Sequence, residues 1–142
     1  NPIDRFILDG SSGDKLPIVA GKEGTGVVVE ANGEGVQKWI GKRVTFLSMK
    51  GGVWAEYVAV DTQYVFEIAK DVPVGHAACG VVNPLTAIGF IENFKSLGVK
   101  GGIIQTGASS SLGRQVNRLA IQEKIPLLNF VRRQEQVDIL KK

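Results

Sequence analysis

The residues with the clearest chemical potential lie in the last third of the chain. Gly102 to Arg114 (GIIQTGASSSLGR) and then Leu127 to Arg133 (LLNFVRR) read as strand, small-residue turn, helix, second strand and a pair of cations. Gly107 and Gly113 bracket Ala108, Ser109, Ser110, Ser111 and Leu112. Such a turn lets backbone N–H groups approach a pyrophosphate, and the N-terminus of the following helix favours the same anion electrostatically. Arg132 and Arg133 stand where an NAD site places Asp or Glu against the ribose hydroxyls. Two guanidinium groups suit a 2′-phosphate instead, so the predicted cofactor is NADP(H). Ser110 replaces the usual central glycine, so the alternative is a crossover whose serine-rich turn binds nothing.

Those groups are useful only if regular elements hold them. Ile103, Ile104 and Leu127 to Val131 form short apolar runs of the kind buried on both faces of a parallel sheet. Between them Leu112, Val116, Leu119 and Ala120 recur at helical spacing, while Arg114, Gln115, Asn117, Arg118 and Gln122 take the opposite face. A βαβ unit results. Ahead of it, Asn83 can cap a helix with Pro84 at its first position; Leu85, Ile88 and Ile91 give it a buried stripe and Gly98 ends it.

The first half has another texture, rich in glycine and β-branched residues. Thr25 to Ala31, Gly41 to Leu47, Ala55 to Val60 and Tyr64 to Ile68 are strand candidates separated by turns, the pattern of a small antiparallel barrel. The expected class is therefore α/β with a β-rich first domain: residues 1–83 as the barrel, and residues 84–142 as a linking helix and the start of a doubly wound parallel sheet.

Composition sets limits around this reading. With 44% hydrophobic and 22% charged residues the chain is ordinary for a soluble globular protein. No apolar run reaches the roughly 18 to 20 residues that span a bilayer. One cysteine, Cys79, permits neither a disulfide framework nor a thiolate zinc cluster, which makes an intracellular compartment, cytoplasm or mitochondrial matrix, the expectation. The net charge of +3 is uneven: residues 1–83 hold 8 Lys/Arg against 10 Asp/Glu, residues 84–142 hold 9 against 4. The basic half is the half with the glycine turn, as a polyanionic ligand requires, although a solvated basic face or an acidic partner gives the same balance. Nucleic acid is disfavoured because the cations are dispersed rather than clustered with aromatics.

Six motifs in order add a resemblance: residues 1–4 (NPID), residues 21–28 (GKEGTGVV), residues 41–44 (GKRV), residues 54–57 (WAEY), residues 83–87 (NPLTA) and Gln105 to Gly113. The chain resembles the zinc-less branch of the medium-chain dehydrogenases/reductases, which includes quinone oxidoreductases and mitochondrial-type trans-2-enoyl thioester reductases. The resemblance implies a GroES-like barrel followed by a Rossmann domain. It also implies Asn83 and Thr86 as polar contacts near the nicotinamide, the Gly107 to Gly113 backbone on the pyrophosphate, and Arg132 with Arg133 on the adenosine 2′-phosphate. Asn83 reads equally as a plain cap, and Thr86 as a helix-facing hydroxyl.

Zinc is not expected. A catalytic zinc of the medium-chain type needs Cys and His ligands, and only Cys79 and His76 are present. Zinc-dependent relatives carry a histidine before the glutamate, where this chain has Lys22 before Glu23. The implied activity is hydride delivery from NADPH to an activated C=C bond or a quinone in a small-molecule substrate. One departure bears on it: Ser12 stands where many relatives have a tyrosine, and an alcohol is a far weaker acid than a phenol. Either Ser12 or water serves as proton donor, or the chain is an inactive reductase-like subunit with a structural or nucleotide-sensing role in a larger assembly. The chain opens without methionine inside a motif that sits well within relatives and stops soon after the second strand. The expectation is a piece of a longer protein, homodimeric when whole.

Overall fold

The β-branched and aromatic run Arg43-Val44-Thr45-Phe46-Leu47 has the composition of a central strand. In the computed structural model, which describes residues 2–11, 13 and 16–141, it takes that place. The chain divides into two compact units, Asn1–Val82 and Asn83–Lys142. In the first, a helix α1 (Pro2–Leu8) precedes three strands, β1 (Glu23–Val27), β2 (Arg43–Leu47) and β3 (Val65–Glu67), which pair antiparallel in the order β1-β2-β3. Val44, Thr45 and Phe46 are buried in the middle strand. The register runs from Glu23 opposite Leu47 to Val27 opposite Arg43, and Thr45 opposes Phe66 on the other side.

Side chains of β2 tie the sheet to the loops behind it. The Arg43 guanidinium donates to the carbonyls of Lys70 (2.6 Å) and Val72 (2.9 Å), fixing the approach to a short helix α2 (Val74–Ala77). The buried Thr45 hydroxyl lies 2.8 Å from the Ala77 carbonyl and 3.1 Å from that of Gly24. The single Thr45 proton serves one of its two carbonyls at a time, the nearer being that of Ala77, and gives the buried hydroxyl the partner it needs.

Two strand expectations are corrected here. The strand expected at Thr25 to Ala31 begins earlier and ends at Val27, because its partner runs out. Beyond Arg43 the neighbouring chain turns at Gly41 (φ +79°), whose N–H bonds to Val28 and closes the ladder. Ala55 to Val60 alternates in sequence but forms no strand; alternation supplies a face, and pairing needs a neighbour that no described segment provides.

The second unit contains α3 (Val82–Ser96, its first residue still in the first unit), β4 (Ile103–Thr106), α4 (Ser111–Gln122), β5 (Leu127–Phe130) and α5 (Gln134–Leu140). β4 and β5 pair parallel, Ile103 opposite Leu127 and Thr106 opposite Phe130. Ala87 and Ile91 of α3 meet Val116 and Ala120 of α4 in a core closed by Ile103, Leu112, Leu119, Ile125 and Leu127. The helical pattern of α4 thus folds as its spacing dictates.

Three expectations change. The buried side of α3 is Ala87 with Ile91, one turn apart, while Leu85 and Ile88 of the expected stripe are exposed. Asn83 is the second residue of that helix rather than its cap; the N–H groups of Val82, the first helical residue, and of Val81 before it go to the Glu23 carboxylate. The sheet is covered on one face only among the described residues: Ile104, Leu128 and Phe130 are 69%, 55% and 52% exposed. No described helix is long and apolar enough to cross a membrane.

Candidate functional site

The turn after β4 is built by small residues in specific conformations. Gly107 adopts φ +63°, where a Cβ is disfavoured, and its carbonyl accepts the Ser110 N–H at 2.9 Å. Ser110, in place of the usual central glycine, caps α4: its hydroxyl accepts the Gly113 N–H at 3.0 Å. Helix and turn pack so closely that a Cβ on Gly113 would stand 2.5 Å from the carbonyl oxygen of buried Ala108. The N–H groups of Ser111 and Leu112, in the first helical turn, have no acceptor within the helix, which leaves this end of α4 electropositive.

A chain of amides lies beneath the turn. Gln105 Nε2 donates to the Gly113 carbonyl (3.1 Å) and to Asn129 Oδ1 (2.5 Å), and Asn129 Nδ2 donates to Asn117 Oδ1 (2.7 Å). The relay joins β4, β5 and α4 through three half-buried side chains. Asn117, read in the sequence as solvent-facing, belongs to it because the one-turn offset from Gly113 points the residue at β5.

At the end of β5 the chain passes through Val131 to Arg132 and Arg133. Both arginines are exposed, and neither guanidinium forms an ion pair among the described residues. Their backbone N–H groups are both taken by Gln136 Oε1, at 2.9 and 3.2 Å, while Gln136 N–H donates to the Arg133 carbonyl at 3.1 Å.

A cleft of about 420 Å³ opens between these two features, lined by Thr106, Gly107, Ser109, Phe130, Val131, Arg132 and Gln136. It brings Gly107, Ser109 and Arg132 to one surface. Arg133 adjoins it without lining it. Ala108, Ser110, Ser111, Leu112 and Gly113 form the turn and helix start behind it. Asn83 and Thr86 sit one turn apart near the start of α3, half-buried, and do not line it. Ser12 lies outside the described residues.

Sequence reading missed Thr106, Phe130, Val131 and Gln136 as lining residues. Phe130 was visible by parity, two residues after Leu128 on the same face of β5. Gln136 was visible as a Gln three residues after the residue that precedes a helix, the spacing of a capping box.

Cys79 Sγ lies 3.6 and 3.5 Å from the carbonyls of Gly75 and His76, Lys22 Nζ donates to the Met49 carbonyl at 3.2 Å, and Glu23 holds the start of α3. Among the described residues no three His, Cys, Asp or Glu side chains converge.

Comparison with known proteins places these features in company. Residues 1–70 match the alcohol dehydrogenase GroES-like domain. The chain is 31% identical over 143 aligned positions to the mitochondrial enoyl-[acyl-carrier-protein] reductase of Caenorhabditis elegans, covering 99% of this chain and 41% of that protein. It is 26% identical to a mycobacterial protein solved in complex with NADPH, with a TM-score of 0.83 over 99% of this chain and 44% of that one. The Escherichia coli quinone oxidoreductase, also solved with NADPH, shares the fold at a TM-score of 0.84, with 19% identity over 99% of this chain and 44% of that one. The chain spans about two fifths of the length of the curated relatives it matches first.

Proposed function

The chain belongs to the medium-chain dehydrogenase/reductase family, and from that premise we propose that it is part of a zinc-independent, NADPH-dependent reductase. In this reading residues 1–83 form a GroES-like barrel and residues 84–142 begin a Rossmann domain. The substrate is an activated C=C bond, as in an enone or enoyl thioester, or a quinone.

The observation that carries the reading is the cleft holding Gly107, Ser109 and Arg132. Its donor set fits a dinucleotide phosphate: a left-handed glycine, a helix start whose N–H groups have no acceptor within the helix, a position where no Cβ has room, and guanidinium groups with no carboxylate partner among the described residues. Bound NADPH would supply the hydride. The chain's own residues bind and orient it: the Gly107 to Gly113 backbone would hold the pyrophosphate, Arg132 with Arg133 the adenosine 2′-phosphate, and Asn83 and Thr86 the nicotinamide end. Holding the reactants in place supplies much of the rate in such chemistry.

Titrating the full-length protein with NADPH, and following its absorbance with crotonyl thioester and with 9,10-phenanthrenequinone, tests the proposal. Binding with turnover of either acceptor is expected. Binding without turnover would leave the second reading, an inactive nucleotide-holding subunit, which Ser12 in place of the family's tyrosine favours. Changing Arg132 and Arg133 to alanine should weaken NADPH by about tenfold or more and NADH far less.

A further inference from the structure

One polar side chain in the cleft is explained by neither the glycine turn nor the arginine pair. Gln136 reaches back from α5 so that a single carboxamide atom meets two backbone donors, the N–H groups of Arg132 and Arg133, at 2.9 and 3.2 Å. Two N–H groups can converge only on an acceptor, so that atom is Oε1 and the other terminal atom is the NH₂ group. The NH₂ group donates to nothing among the described residues. Gln136 lines the cleft together with Arg132, Gly107 and Ser109.

We infer that Gln136 determines nucleotide specificity in this cleft. The inference rests on the NADP(H) reading above and adds a residue to it. The side chain does two things at once. Its oxygen pins the backbone from which the Arg132 guanidinium projects, and its uncharged NH₂ leaves a donor beside a site meant for a phosphate. A carboxylate in the same place would keep the first property and reverse the second, because it would accept ribose hydroxyls and repel a 2′-phosphate.

Gln136→Glu therefore separates specificity from structure. The Glu carboxylate still accepts both N–H bonds, so the thermal midpoint should stay level or rise. NADPH affinity of the full-length protein should fall about tenfold while NADH affinity changes little or improves. Arg132→Ala is measured beside it. An unchanged NADPH/NADH ratio in Gln136→Glu, with Arg132→Ala still selective against NADPH, would overturn the inference and leave the NADPH reading standing. Equal weakening of both nucleotides would also overturn it, since that is the mark of a merely structural residue. A parent protein that binds neither nucleotide would sink both.

Discussion

Glu23 holds Val82 across 59 residues of sequence: its Oε2 accepts the Val82 N–H at 2.9 Å and the neighbouring Val81 N–H at 3.2 Å. A strand residue thus does for α3 what a local cap does for most helices, and an anion sits where the helix start favours one.

Replacing Glu23 with alanine removes the acceptor that the two N–H groups share and should cost about 1 to 2 kcal/mol, the range of a lost N-cap. Gln keeps an acceptor without the charge and should cost less. Urea denaturation of the two variants checks the ordering; an alanine variant as stable as the parent refutes the capping role.

Gly113→Ala would ordinarily strengthen a helix by up to about 1 kcal/mol. Here the new methyl would meet the Ala108 carbonyl at 2.5 Å, with backbone rather than a flexible side chain as the obstacle. The sign should invert, to a loss of about 1 to 3 kcal/mol, with nucleotide affinity falling alongside as the turn is pushed open. Thermal denaturation and an NADPH titration read the two effects separately.

The amide relay under the turn predicts coupling. Gln105→Leu takes the donor from Asn129 Oδ1, while Asn129→Leu leaves Gln105 Nε2 with the Gly113 carbonyl alone and takes the donor from Asn117 Oδ1. A double-mutant cycle should return about 0.5 to 3 kcal/mol of interaction between the two positions. Additive losses would mean that the two amides are not partners in solution.

A pH dependence follows from Lys95, which bridges Glu123 at 2.8 Å and Glu92 at 3.0 Å. The hydrogen bond to Glu123 first, and that to Glu92 second, hold its ammonium above the ordinary lysine value of 10.5. A cation favoured by folding contributes stability below its unfolded value and loses it as pH climbs through the folded one. The stability difference between parent and Lys95→Met should be level from about pH 7 to pH 10 and shrink above that. A difference that instead collapses near neutrality would refute the assignment. Because both carboxylates are at the surface, about 1 M salt should shrink it too.

The parts of the fold legible in the sequence are those decided within one element. Val116 and Ala120 recur at helical spacing and fold inward, and Leu127 to Phe130 pair as their composition suggests. The turn's glycines were legible because only a residue without Cβ tolerates what Gly107 and Gly113 face. What escaped depended on distant neighbours. Asn83 looked like a cap because nothing local reveals that the helix begins one residue earlier, at Val82, whose N–H goes to Glu23. Ala55 to Val60 alternates as a strand does, yet pairing needs a second segment. Leu85 and Ile88 have the right spacing for a stripe, but small Ala87 is what lets α4 approach, so the buried face is turned by part of a helical step. In the cleft, Arg132 announced itself by charge, whereas Gln136 has no signature until its carboxamide is seen on two backbone amides.

The one-sided cover of the β4–β5 pair has a practical consequence. Ile104, Leu128 and Phe130 face water, and each of the two strands has an outer edge whose backbone groups find no described strand to pair with. Hydrocarbon beside open ladder edges is the surface on which chains add to one another strand by strand. For the isolated chain, a charge placed at Ile104 or Leu128 should therefore lower light scattering at high protein concentration, and precipitating salts should raise it.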